Sequence, residues 1–183
     1  SVQNSITGSP ITDVYVLGRR GPIEANFTNV ELRELGQLSE AEPRVREEQL
    51  EFDSETKFAA YEGRDLRVRE RNLNTLTEYA KLKSDRKPKR LHLEFFSQPV
   101  EVLGGESVEA LRCEHTQLVD GQVQGTGKFF EIPCGLVIAA IGYRADKIDG
   151  APYDAMRGIV PNDKGRVAPG LYAVGWIKRG PTG

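Results

Sequence analysis

The stretch DVYVLGRRGPIEANFTNVELREL, Asp13 to Leu35, decides how this chain is read. Asp13 to Leu17 is β-branched and aromatic and ends at Gly18, so it reads as a buried core strand. Two arginines, Arg19 and Arg20, follow at once, and Gly21-Pro22 breaks the run. The next element is a helix. Thr28 is an N-cap, Glu31 stands three residues on as in a capping box, and Val30, Leu32, Leu35 and Leu38 mark an apolar face. A strand end that carries two fixed positive charges where it meets solvent suits an anion, and in a nucleotide-binding α/β unit the end of the second strand approaches the adenine ribose. In such a unit an acidic residue at this position accepts from the 2′-hydroxyl of NAD, and arginine accommodates the 2′-phosphate of NADP. Two guanidiniums can make forked, charge-assisted bonds to that phosphate. At about 1.5–3 kcal/mol each, they would favour NADP over NAD by roughly two to four orders of magnitude. The competing reading of the same dipeptide is a pair of solvated loop charges.

The pattern continues in α/β fashion. Leu66 to Lys83 repeats Leu73, Leu76, Tyr79 and Ala80 at helical spacing. Residues 39–63 are polar, acidic and irregular, a surface excursion with room for a short helix. After residue 90 the period changes. LHLEFFSQPVEVLGG holds extended segments with Pro99 at an irregular or edge position, and SVEALRCEHTQLV alternates as a strand. DGQVQGTG reads as a turn region. LVIAAIG, Leu136 to Gly142, is apolar throughout, as in a parallel strand covered on both faces. Leu171 to Val174 reads as one more short buried strand. The fold class is α/β, Rossmann-like, with an antiparallel β excursion.

With 183 residues the chain can hold one substantial domain, or one domain and a piece of another. Hydrophobic residues at 38% and charged residues at 28% fit a globular protein, and a net charge of -2 gives no basic field for nucleic acid. No apolar run reaches the ~18 residues of a membrane span. No secretory leader is visible, so a reducing compartment is expected, the bacterial cytoplasm or the mitochondrial matrix. Cys113 and Cys134 make neither a zinc framework nor a disulfide scaffold, and they read as small apolar residues in strands. His92 and His115 read as structural, no metal site is expected, and no catalytic constellation is seen. There is no G-x-G-x-x-G: VLGGES and GQVQGTG do not follow a strand and open a helix. The chain starts without Met and stops at GWIKRGPTG, so it reads as a piece of a longer protein whose pyrophosphate loop lies upstream.

DVYVLGRRGPIEANFTNVELRELGQL, together with LVIAAIGYRADKIDGAPYDAMRGIVPNDKGRVAPGLYAVGWIKRGPTG, resembles the adrenodoxin reductase-type ferredoxin–NADP reductases. The specific signal is the combination of GRRGP with GWIKRGPTG. The resemblance implies a flavoprotein in which an NADP domain is inserted into an FAD domain. Residues 1–168 would be the NADP-binding domain, incomplete at its N-terminus, and 169–183 the start of the return into the FAD domain. It also implies hydride transfer from NADPH to FAD, then electron transfer to a ferredoxin-like iron–sulfur protein. Carried over by motif, Arg19 and Arg20 hold the 2′-phosphate and Glu31 contacts the nucleotide. Trp176 packs near the flavin, and Gly183 approaches flavin and nicotinamide through its backbone. Each has a plainer reading: a capping box for Glu31, core burial for Trp176. Arg64, Arg67, Arg69 and Arg71 are a candidate docking face for an acidic partner, diluted by Glu62, Asp65 and Glu70. Two alternatives stand beside this reading. One is an electron-relay module of the glutamate synthase small-subunit type, and the other a non-catalytic interaction domain.

Overall fold

The computed structural model describes residues 8–51, 58–82, 87–142 and 145–180. Two compact units divide between Val137 and Ile138. The first unit is built on a parallel sheet of three strands, β1 (Asp13–Leu17), β2 (Ala41–Arg44) and β3 (Lys89–Glu94), in the order β1-β3-β2. Helices α1 (Asn29–Leu35) and α2 (Gly63–Ala80) supply the crossovers. A second sheet of β4 (Ser97–Leu103), β5 (Ala110–Val119) and β6 (Gln122–Pro133) is antiparallel throughout.

The sheet has two unlike faces because its strands alternate. Leu93, Val45 and Phe95 pack with Leu32 of α1 and Leu76 and Tyr79 of α2 in the main core. The opposite face is polar: Asp13 pairs in register with Arg90, and Tyr15 with His92. Arg90 clasps the Asp13 carboxylate through Nε and Nη2, both at 2.7 Å, and His92 Nε2 stands 2.8 Å from Asp13 Oδ1. The Tyr15 ring stacks on the His92 ring at 4.3 Å. His92 is thus a structural partner of β1. His115 likewise stacks on Phe130.

The second unit is small. β7 (Arg166–Ala168) and β8 (Leu171–Tyr172) form a hairpin, and α3 (Trp176–Arg179) follows. Ile159, Val160 and Ala173 are its buried centre. Asn162 ties it together, donating to Val160 O and Lys178 O and accepting from Gly165 N.

The structure departs from the sequence pattern at several places. Residues 39–63 hold β2, with Glu42 and Pro43 buried, and a 3-10 turn at Glu47–Gln49. A four-residue parallel strand of sequence AEPR owes its existence to the β3 ladder, and composition does not announce it. The turn expected over 120–127 contracts to Asp120-Gly121, both at positive φ, and β6 takes the rest. That backbone matches a tight two-residue hairpin turn. Leu136–Gly142 forms no strand; Val137 packs against the Leu111, Cys113 and Ile132 cluster, while Leu136, Ile138 and Ile141 are exposed, Ile141 at 94%. A strand is made by its ladder, and among the described residues this run has none. β8 is paired with β7 yet exposed, and Val14 and Val16 of β1, paired with β3, are 47% and 44% exposed where burial was expected. On α1, Leu32 is buried and Leu35 partly so, while Val30 and Leu38 point outward.

Candidate functional site

The arginine pair sits where β1 ends, on the carboxyl side of a parallel sheet, the side on which open α/β sheets bind ligands. The turn is tightly held. Gly18 N donates to Glu94 O at 2.8 Å, and Ser97 N donates to Gly18 O at 3.0 Å. Phe96 N donates to Arg20 O at 3.0 Å, and Thr116 Oγ1 to Arg19 O at 2.9 Å. A Cβ at Gly21 would lie 2.5 Å from the Phe96 ring and 2.6 Å from the Glu24 carboxylate, so a larger residue there would push both side chains away. The main chain is therefore fixed while both arginine side chains are exposed, and neither guanidinium is ion-paired among the described residues. Nearly every other arginine near the sheet is committed. Arg90 holds Asp13, Arg46 holds Glu94 at 2.7 Å, and Arg44 holds Glu42 at 2.9 Å.

A network lies beneath the turn. Gln49, buried, donates to Glu94 Oε2 and Phe95 O and accepts from Phe95 N. It locks the end of β3, whose Glu94 and Phe96 main-chain groups in turn hold the arginine turn. Nothing in the pattern of residues 39–63 marks Gln49 or Arg46, because their partners lie some 45 residues away.

Glu31 occupies the capping box expected for it. Thr28 Oγ1 accepts from Glu31 N, and Glu31 Oε2 accepts from Thr28 N at 3.1 Å and Thr28 Oγ1 at 2.8 Å. The Thr28 hydroxyl, and then its backbone N–H, hold the Glu31 carboxyl below the usual carboxylate range. It is an anion at neutral pH in the first turn of the helix that follows the arginine turn.

The four arginines at the head of α2 do not act alike. Arg64, Arg67 and Arg71 are exposed. Arg69 folds inward, 3.2 Å from Asp65 and over the Tyr61 ring at 4.1 Å, and donates to Ile23 O. It braces the GRRGPI segment from the far side and leaves the docking face. Periodicity could not separate it from its neighbours. Trp176 opens α3 with its ring 62% exposed, so it is not a core residue of this chain. Gly183 lies outside the described residues. Cys113 is buried, which pushes its thiol up to about 11 and leaves it protonated at neutral pH. Among the described residues no cluster of His, Cys, Asp or Glu could hold a metal ion, and no helix is long and apolar enough to cross a membrane.

No protein-family model matches the chain. The solved structure of FprA from Mycobacterium tuberculosis in complex with NADPH matches with a TM-score of 0.85 at 34% identity. That match covers 94% of this chain and 39% of the other. The chain is homologous to the adrenodoxin reductase-type ferredoxin–NADP reductases. NADPH-ferredoxin reductase FprA of Mycobacterium tuberculosis is 36% identical over 184 residues, again 94% of this chain and 39% of that protein. The human mitochondrial NADPH:adrenodoxin oxidoreductase is 37% identical over 190 residues, 96% of this chain and 38% of that protein. The chain thus spans about two-fifths of the length of these reductases. Its mixed parallel and antiparallel α/β fold is that of the FAD- and NAD(P)-binding reductases.

Proposed function

We propose that this chain supplies the NADP(H)-binding part of a flavoprotein reductase, with Arg19 and Arg20 gripping the 2′-phosphate. The observation that carries this reading is the fixed turn bearing two exposed guanidiniums without acidic partners among the described residues. Two cations held a residue apart repel each other, and a dianionic phosphate relieves that repulsion while accepting forked bonds from both. Glu31 has one oxygen engaged by Thr28, which leaves the other to accept from a nucleotide hydroxyl. NAD, with a hydroxyl in place of the phosphate, offers the arginines no anion at that point.

In the whole protein, residues 1–168 form the NADP-binding domain and 169–183 lead back to an FAD-binding domain. An FAD bound by the whole protein would supply the redox chemistry, accepting a hydride from NADPH and giving single electrons to a ferredoxin-like iron–sulfur protein. The residues of this chain bind and orient; no side chain serves as acid, base or nucleophile. Trp176, exposed here, is a flat apolar surface suited to lie against the flavin, and Gly183 lets the backbone approach the two rings. A cytoplasmic or mitochondrial matrix location goes with this reading.

The test is a calorimetric titration of the chain with 2′,5′-ADP, with 5′-AMP as the control ligand, repeated on Arg19→Ala/Arg20→Ala. The expected result is a preference for the 2′-phosphate of roughly a hundredfold or more in the parent, abolished in the variant. Equal binding of the two ligands by the parent would overturn the assignment.

A further inference from the structure

The turn that carries the arginine pair is set by three consecutive carbonyls. Gly18 O accepts from Ser97 N, Arg19 O from Thr116 Oγ1, and Arg20 O from Phe96 N. Two of these anchors are main chain and survive any substitution. The middle one is a side chain, reaching across 97 residues of sequence from the antiparallel sheet. The Arg19 carbonyl belongs to the peptide unit that joins the two arginines. Fixing the plane of that unit fixes ψ of Arg19 and φ of Arg20, and so the directions in which the two side chains leave the main chain.

Thr116 is itself well fixed. It is buried, its N–H donates to Phe96 O at 2.8 Å, and it follows the register shift between Glu114 and Thr116 in the β5–β6 ladder. A β-branched side chain is restricted at χ1, and burial in the strand with the hydroxyl engaged at 2.9 Å keeps it aimed at the carbonyl.

We infer that Thr116 is a positioning residue for 2′-phosphate recognition, touching no ligand atom and acting through the Arg19–Arg20 peptide. The inference rests on the reading of the arginine pair given above. Its physical content is preorganisation: the two guanidinium stems start from fixed origins, so less freedom is lost when the phosphate binds. It also gives the β4–β5–β6 excursion a task at the nucleotide site, through one hydroxyl.

The experiment uses Thr116→Val, which keeps the branched shape and removes the hydroxyl, and Thr116→Ser, which keeps the hydroxyl. Each is titrated with 2′,5′-ADP and 5′-AMP, below its own thermal unfolding midpoint. Val is expected to lose roughly three- to tenfold in 2′,5′-ADP affinity with 5′-AMP unchanged, and Ser to stay near the parent. Where Val does not fold, Thr116→Ala carries the same expectation. A hydroxyl-free variant that keeps the parent's ratio of the two affinities overturns the inference and leaves the arginine assignment standing. So does a Ser variant that behaves like Val. A parent that binds both ligands alike removes the arginine assignment, and this inference with it.

Discussion

Asp13 shows how much a single side chain decides. Its carboxylate joins β1 to β3 through Arg90 and His92. The Arg90 guanidinium, then the His92 ring, hold its carboxyl well below the usual carboxylate range. The unfolded chain, with Asp near its ordinary ~3.9, binds the proton more readily. Stability from this group is therefore full above about pH 4 and is lost as the pH falls through that value toward the lower folded pKa. Glu31, held down by Thr28, acts in the same direction. Denaturant midpoints between pH 3 and 6 should fall steeply for the parent and more shallowly for Asp13→Asn; parallel curves would refute the assignment. Asp13 was read from sequence only as the start of a strand. Its partners are 77 and 79 residues away, and no local pattern connects them.

Between elements, the contact of α1 with α2 repeats this lesson. The capping box Thr28–Glu31 was legible because both residues lie within one turn. The other end was not. Tyr79 of α2 donates its hydroxyl to Leu32 O at 2.8 Å and accepts from Gly36 N at 3.1 Å, so it closes the last turn of α1. From spacing, Tyr79 is one more apolar position on a helical stripe. Its hydroxyl is in fact the C-terminal cap of another helix. Tyr79→Phe keeps the ring in the core but removes the donor to Leu32 O and one of the acceptors of Gly36 N, at a cost of about 1–2 kcal/mol. Urea unfolding should show the loss as a lower midpoint with an unchanged slope. Asn72 works alongside, donating to Phe27 O and accepting from Asn29. Helices were visible in the sequence because their period is local. β2 was not, since AEPR becomes a strand only against β3.

At the scale of the molecule, the apolar run Leu136–Ile141 is the largest difference between pattern and structure. Its residues suit a strand buried on two faces, yet Leu136, Ile138 and Ile141 are exposed. A contiguous apolar segment of high β-propensity without charge favours association in water. Light scattering should therefore show concentration-dependent self-association, reduced in Ile138→Asp/Ile141→Asp with no change in thermal midpoint. Equal scattering from both proteins would contradict this.

The amino-acid sequence by itself determined the α/β class, the two main helices with their first cap, the antiparallel excursion and the placement of an arginine pair at a strand end. Each of these is written in neighbouring residues, through a period of two or 3.6, a cap three residues long, or a dipeptide after a glycine. Tertiary structure alone decided which arginines are braced and which are left exposed. It also decided that Thr116 and Gln49 hold the turn, that Arg69 turns inward, and that Leu136–Ile141 finds no ladder among the described residues. Those outcomes depend on groups tens of residues apart meeting at hydrogen-bond distance, and such meetings leave no local trace.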